Sequence, residues 1–91
     1  MKELLPIGSI VKINAVEKRF MIIGRIQKLN DKPDTVYDYA AVIYPEGYIN
    51  AEAVYLFNHE SIQNLYYIGM QDLEEFEYRH VLQEEIRKLS R

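Results

Sequence analysis

Two short stretches of the sequence contain side chains that can transfer protons, attack bonds or bind metals. The first contains three residue types that nucleophilic catalysis uses, and they are direct neighbours: His59, Glu60 and Ser61. A catalytic triad needs side chains that converge from separate segments, which direct neighbours do not do. We therefore interpret this stretch as a turn in which a side chain binds the backbone. His59 as a ligand or proton donor is the alternative.

The second stretch lies near the end of the chain, where Glu77, His80 and Glu84 follow at helical spacing and could share one face around a metal. Di-iron bundles use the Glu-x-x-His motif twice, with further glutamates from other helices. Only one copy is present, so we prefer a solvated helix face. The sequence contains no cysteine, which excludes disulfides and thiolate catalysis. We expect no enzymatic activity, no cofactor and no metal.

Charge is distributed unevenly along the 91 residues. Residues 1–45 contain seven basic and five acidic residues, whereas residues 46–91 contain four and nine. The net charge of −3 argues against a general nucleic-acid-binding protein, because such proteins neutralise phosphates. A basic patch on the first hairpin keeps a nucleic-acid-associated role as the alternative function, and its candidate residues are Lys12, Lys18, Arg19, Arg25, Lys28 and Lys32.

Tyrosine is unusually frequent, with eight residues: Tyr37, Tyr39, Tyr44, Tyr48, Tyr55, Tyr66, Tyr67 and Tyr78. One interpretation is that most of the rings pack inward and leave only their hydroxyls in water. The other is a tyrosine-rich binding face, because this amphipathic side chain is enriched at interfaces. Both interpretations stay open at this point.

The elements that must position these residues are short strands followed by one helix. Alternation and β-branched residues predict strands at 9–16, 20–29, 36–44, 54–57 and 62–68, and Tyr48-Ile49 resumes extended chain. Gly24 predicts a bulge or bend, and the turn formers of residues 30–35 predict a surface loop. We expect a single α+β, mostly β domain over residues 1–91. Its β core at 9–69 is a small SH3-like bent sheet or barrel of five to six short antiparallel strands, followed by a C-terminal helix at 71–90.

The C-terminal helix carries more apolar surface than one docking face needs. Asp72 is the expected N-cap, and Glu75 and Arg79 are spaced for an i,i+4 ion pair. At about 100° per residue, Leu73 and Phe76 form one stripe. A second stripe on roughly the opposite side consists of Tyr78, Val81, Leu82, Ile86 and Leu89. Because the β core covers one face only, either the helix bends around the domain or the second stripe binds another chain. We predict that this stripe binds a protein partner or a second copy of the chain.

Several runs of the sequence are similar to a known family: LLPIGSIV, FMIIGRIQ, YDYAAVIYPEGYI, YLFNHESI and LYYIG. They resemble the short proteins of Gram-positive bacteria called domain of unknown function 4176. The resemblance covers roughly residues 4–75, and the YPEGY and FNHE turns are its most specific parts. Some members are encoded near type VII secretion genes. The resemblance implies a cytoplasmic accessory or adaptor role, and it supplies no catalytic residues.

No membrane segment is predicted. The longest uncharged apolar run, residues 20–24, is too short to span a bilayer, and Pro6 and Gly8 interrupt the apolar start. We expect a cytoplasmic protein without membrane contact. The predicted function is a non-enzymatic protein–protein interaction or adaptor module, and the alternative is a nucleic-acid-associated β-barrel that uses the basic first hairpin.

Overall fold

The structure, a computed structural model, describes residues 3–29 and 31–89, apart from the side chains of Leu29, Lys32, Pro33 and Leu89. Five strands and one α-helix follow each other: β1 (Ile10–Ile13), β2 (Arg19–Leu29), β3 (Lys32–Tyr44), β4 (Tyr55–Phe57), β5 (Ile62–Tyr67) and α1 (Leu73–Leu89). Two 3₁₀ helices, Ala51–Ala53 and His59–Ser61, flank β4. The elements predicted from hydrophobic alternation are therefore present.

The five strands form one antiparallel sheet in the order β4-β3-β2-β1-β5. The α+β, mostly β fold class is confirmed, with five strands and one C-terminal helix. The sheet is not closed into a barrel, since β4 and β5 lie at its two ends. The prediction of a sheet is therefore confirmed and the barrel form is wrong, while the SH3-like arrangement stays a prediction. Within the described residues, no helix combines the length and the apolar content needed to cross a membrane.

The surface loop predicted at residues 30–35 is mostly wrong. Strand β3 begins at Lys32, and its pairing with β2 continues through Lys28↔Val36 to Leu29↔Lys32. Local composition favoured a loop because Asp31 and Asp34 are poor strand formers. Pairing along the β2–β3 hairpin overrides this preference.

One face of the sheet forms the core. Alternate residues of β1, β2 and β3 point to it and are fully or nearly fully buried: Val11, Ile13, Phe20, Ile22, Tyr39 and Ala41. Leu4 from the N-terminal segment and Leu82 from α1 cover this face. The opposite face, which we call the outer face, carries Ile10, Met21 and Tyr44 and lies on the side away from α1.

Irregular pairing in β2 changes the direction of its later side chains. The register shifts between Ile22↔Ala41 and Gly24↔Ala40, which confirms the bulge predicted at Gly24. Ile26 has a φ of 56°, a left-handed conformation that is rare for a β-branched residue. This turn of the backbone brings both Arg25, which is buried, and Ile26 to the core side. A charged side chain is thereby placed under the helix.

The junction between β5 and α1 depends on a glycine. A Cβ atom added at Gly69 would lie 2.0 Å from the Ile7 carbonyl oxygen, which no side chain tolerates. The Gly69 N–H donates to the Ser9 hydroxyl over 3.0 Å, and this hydroxyl donates to the Pro6 carbonyl over 2.8 Å. The N-terminal segment and the start of the helix are therefore held together by a buried hydrogen-bond chain.

Candidate partner-binding surface

The helix residues predicted to bind a partner divide between the core and the surface. Leu82 is 7% exposed, and Ile86 packs against the same hydrophobic cluster. Tyr78 and Val81 are exposed, and the side chain of Leu89 lies outside the described part of the chain. Leu82 and Ile86 are thus occupied within the molecule, whereas Tyr78 and Val81 are accessible. Partner binding by the helix stays a prediction.

A buried ion-pair cluster, which we call the buried arginine cluster, determines which face α1 turns toward the sheet. Both terminal nitrogens of Arg25 donate to the Glu75 carboxylate, over 2.6 and 2.8 Å, and Arg79 donates to the same carboxylate over 3.0 Å. The three side chains are 3%, 11% and 7% exposed. Glu75, Arg79, Leu82 and Ile86 recur at i, i+4, i+7 and i+11, so they share one face. The docking stripe is half polar, and apolar periodicity alone misassigned it.

Further contacts complete the buried arginine cluster. The Leu5 carbonyl accepts from Arg25 over 3.2 Å, and the Tyr78 ring lies 5.6 Å from the Arg25 guanidinium. Burial raises the pKa of Glu75, but the hydrogen bonds from the two arginines outweigh burial, and the net pKa lies below its usual value. The carboxylate is therefore charged and satisfied. This arrangement docks the helix, and the Arg25 Nε is its one buried polar side-chain atom without a hydrogen-bond partner among the described residues.

His59 takes part in a hydrogen-bond network and not in a triad with its neighbours. Its Nδ1 lies 2.6 Å from the Tyr39 hydroxyl, and its backbone N–H donates to Asp38 over 2.8 Å. Burial raises the pKa of Tyr39 to about 12, so the phenol stays protonated. Asn58 accepts from the Asp38 N–H over 3.1 Å. The network ties the His59–Ser61 turn to β3, as the turn interpretation predicts.

The Glu77, His80 and Glu84 motif does not form a metal-binding group in the structure. Glu77 and His80 are exposed, and Glu84 pairs with Arg87. Among the residues that the structure describes, no group of three His, Cys, Asp or Glu side chains could hold a metal ion.

The basic residues of the first two strands do not form one patch. Arg25 is buried in the arginine cluster, and Lys18 pairs with Glu46 over 2.9 Å. Lys12 donates to the neutral Gln63 over 2.9 Å, which leaves its charge uncompensated. Arg19 is exposed, and no carboxylate of the described residues is paired with it. Lys12 and Arg19 are therefore accessible on the outer face, and Lys28 is exposed there as well, beside Ala40 and Leu56. The side chain of Lys32 lies outside the described residues.

The tyrosines lie mostly at the surface. Tyr39 is fully buried and Tyr37 is partly buried, whereas the other six are exposed: Tyr44, Tyr48, Tyr55, Tyr66, Tyr67 and Tyr78. The interpretation that most rings pack inward is wrong. The small core is filled by aliphatic residues, Phe20 and Phe57, so little room is left for further rings.

Three of these rings surround a concave site on the outer face, which we call the arginine–tyrosine pocket. It is lined by Gly8, Ile10, Arg19, Met21, Tyr44, Tyr66 and Tyr67 and has a volume of about 480 Å³. The Arg19 guanidinium carbon lies 5.1 Å from the centre of the Tyr44 ring and 6.0 Å from that of Tyr66. Such distances are typical of cation–π contacts, which hold the cation in place without neutralising it.

A bulge explains why two adjacent tyrosines of β5 line the same pocket. Ile10 pairs with Tyr67 and Val11 pairs with Leu65, so Tyr66 is an extra residue in the ladder. A bulge of this kind re-aims the local side chains and is common next to binding sites. In a regular strand Tyr66 and Tyr67 would point to opposite faces. Sequence reasoning named these tyrosines but had no signal for the bulge.

Strand β5 also leaves one edge of the sheet open. Among the described strands it pairs with β1 only. Its sequence, IQNLYY, contains no charge and no proline, and Leu65, Tyr66 and Tyr67 are exposed. Proteins usually protect such an edge with lysine, proline or a covering segment. The open β5 edge and the arginine–tyrosine pocket are adjacent and share Tyr66 and Tyr67.

The fold is that of a small α+β, mostly β domain with an aromatic sheet face that no described residue covers. The family model described as Domain of unknown function (DUF4176) matches residues 4–78, and the chain belongs to this family. The match includes every residue of the arginine–tyrosine pocket. No curated protein and no solved structure matches the chain.

Proposed function

We propose that this domain is a non-enzymatic interaction module that binds a protein partner at the arginine–tyrosine pocket. The observation that carries the proposal is the pocket itself. Three exposed tyrosine rings and the uncompensated Arg19 converge from β2, β3 and β5 around about 480 Å³ of open space. Nothing among the described residues covers this face.

The residue types favour a protein as the ligand. Tyrosine, arginine and methionine are enriched in protein interfaces, and tyrosine and arginine dominate their energetic hot spots. Tyrosine supplies a large contact area and loses little side-chain entropy on binding. Tyr44, Tyr66 and Tyr67, together with Met21, therefore form a surface that gains free energy when a partner excludes water from it.

The helix contributes to the proposed function at a second place. Tyr78 and Val81 are exposed on α1, on the opposite side of the molecule from the pocket. An adaptor needs two separate contact surfaces, and these two residues supply the candidate for the second. Some members of the family that the sequence resembles are encoded near type VII secretion genes, which supports a role as an accessory to that secretion. This accessory role is part of the proposal.

Charge separates the proposal from the nucleic-acid alternative. The outer face combines rings with cations, which is the composition of a single-strand-binding surface. The arginine–tyrosine pocket itself contains one cation, Arg19, however, and phosphate neutralisation normally uses more cations. We expect no retention on heparin or on a single-stranded oligonucleotide at low salt. Salt-sensitive retention that Arg19→Gln abolishes would support the alternative instead.

The proposal is tested by affinity capture in the native host with mass spectrometry. The Tyr66→Thr plus Tyr67→Thr variant removes two rings of the pocket and keeps β-forming residues. The matched control is Tyr48→Thr, which removes an exposed ring outside the pocket. We expect the wild type and the control to capture the same partners in similar amounts. The double variant should capture about tenfold less of them, or less still. Equal capture by all three proteins, with unchanged thermal melting, contradicts the proposal.

A further inference from the structure

We infer that the open β5 edge binds an extended segment of the partner as a sixth strand, and that an acidic side chain of this segment pairs with Arg19. This inference rests on the proposed function and specifies its binding mode. It joins two independent features, the unprotected backbone edge of β5 and the unsatisfied guanidinium beside it.

The edge supplies the backbone chemistry. Strand β5 extends over Ile62–Tyr67, about twice the length of the opposite edge strand β4, Tyr55–Phe57. Its outward N–H and C=O groups have no strand partner among the described residues. A polypeptide in extended conformation satisfies such groups one after another, whereas a nucleic acid or a helix does not. The edge therefore selects for an extended peptide.

Arg19 supplies the side-chain specificity. The Tyr44 and Tyr66 rings hold its guanidinium over the outer face at 5.1 and 6.0 Å, so a bound anion does not need to order it. A carboxylate matches the guanidinium with two parallel hydrogen bonds. An added strand lies about 4.8 Å beyond β5 and about 14 Å from β2, so its acidic side chain reaches the Arg19 guanidinium by extending across β5 over the Tyr66 ring. Lys12, on the same face of β1, adds positive charge along this path.

The occupant is a partner segment and not a second copy of β5. Two β5 edges could pair with each other, but the strand contains no acidic residue between Ile62 and Tyr67. A second copy of β5 would therefore leave Arg19 without an anion. A foreign strand that alternates β-branched residues with a glutamate satisfies both the edge and the guanidinium.

The test uses a random dodecapeptide display library selected on the wild-type protein, with the Arg19→Gln protein as counter-selection. We expect selected peptides to combine Glu or Asp with β-branched neighbours and to bind Arg19→Gln about tenfold more weakly. Each selected peptide is then N-methylated at all even or at all odd positions. Since a strand presents alternate amides to opposite edges, one methylated set should abolish binding and the other should leave it unchanged.

The outcomes separate this inference from the proposed function. Equal effects of the two methylated sets, selection of peptides without acids, or failure to enrich any sequence overturn strand addition. The proposed function still stands in these cases if Tyr66→Thr plus Tyr67→Thr loses partner capture. A dimer in light scattering that this double variant dissociates overturns the choice of a foreign strand in favour of a second copy. Binding of Arg19→Gln with wild-type affinity overturns the role of the carboxylate.

Discussion

Arg19 and Arg25 lie on the same strand, and each lies against tyrosine rings, yet their surroundings differ completely. Arg25 faces the core side and gives its terminal nitrogens to Glu75. Arg19 faces the outer side, is exposed, and is held by Tyr44 and Tyr66 without a carboxylate from the described residues. The comparison shows that neither the residue type nor the ring contact decides the role. The role is decided by whether the chain supplies an acidic partner. Arg25 has one and is structural, whereas Arg19 has none among the described residues and is available for binding.

Breaking the buried side of this comparison should have the largest effect. Glu75→Ala removes the anion shared by Arg25 and Arg79, which leaves the buried Arg25 unpaired and Arg79 with only the exposed Glu3. We expect a loss of about 3–5 kcal/mol in the free energy of unfolding, measured by urea denaturation. The control is Glu84→Ala, which removes an exposed ion pair with Arg87 and should cost less than about 0.5 kcal/mol. Similar losses in the two variants would contradict the structural role of the buried arginine cluster.

The apolar part of the same helix face gives the next largest effect. Leu82→Ala should cost about 2–4 kcal/mol of unfolding free energy, because it leaves a cavity between α1 and the sheet. Val81→Ala, one position along on the exposed side, should cost less than about 0.5 kcal/mol. If the two substitutions destabilise equally, the helix docks through a different face.

Acid should weaken the buried cluster in a defined pH range. The pKa of Glu75 is lowered in the folded chain, so its contribution to stability is complete above the unfolded pKa of about 4.3 and is lost as the pH falls further. We expect the urea midpoint of the wild type to drop between about pH 5 and pH 3 more steeply than that of Glu75→Gln. Parallel curves for the two proteins would show that Glu75 does not titrate with folding.

The exposed side of the comparison should show the smallest effect on stability. Arg19→Gln removes no internal ion pair, so we expect its unfolding free energy to stay within about 0.5 kcal/mol of the wild type. The same substitution should weaken the binding of acidic peptides about tenfold. A loss of several kcal/mol in the urea experiment would place Arg19 among the structural residues and remove the contrast with Arg25.

Local patterns in the sequence were sufficient for the elements of the fold. Alternation located the strands, Asp72 accepts the Glu75 N–H over 2.9 Å as predicted for the cap, and Gly24 marks a bulge. Long-range pairing was not visible, so the extension of β3 to Lys32 was missed.

The candidate surface was only partly predictable, for two physical reasons. The docking face of α1 contains the charged residues Glu75 and Arg79, which are buried because Arg25 of β2 pairs with Glu75. A search for apolar periodicity does not detect a docking face of this kind. The pocket depends on an extra residue at Tyr66, and a bulge without glycine leaves no mark in composition. The eight tyrosines indicated a surface function, but their positions on one face followed only from the strand order.

The contact between the N-terminal segment and the helix has a consequence for folding. Glu3 lies 3.3 Å from Arg79, and Leu4 shares the core with Leu82, although these residues are far apart in sequence. Contacts of such long sequence separation form late and slow the search for the native state. During synthesis on the ribosome, the hydrophobic face of the sheet therefore stays uncovered until α1 has emerged. The nascent chain is most exposed to aggregation in that interval.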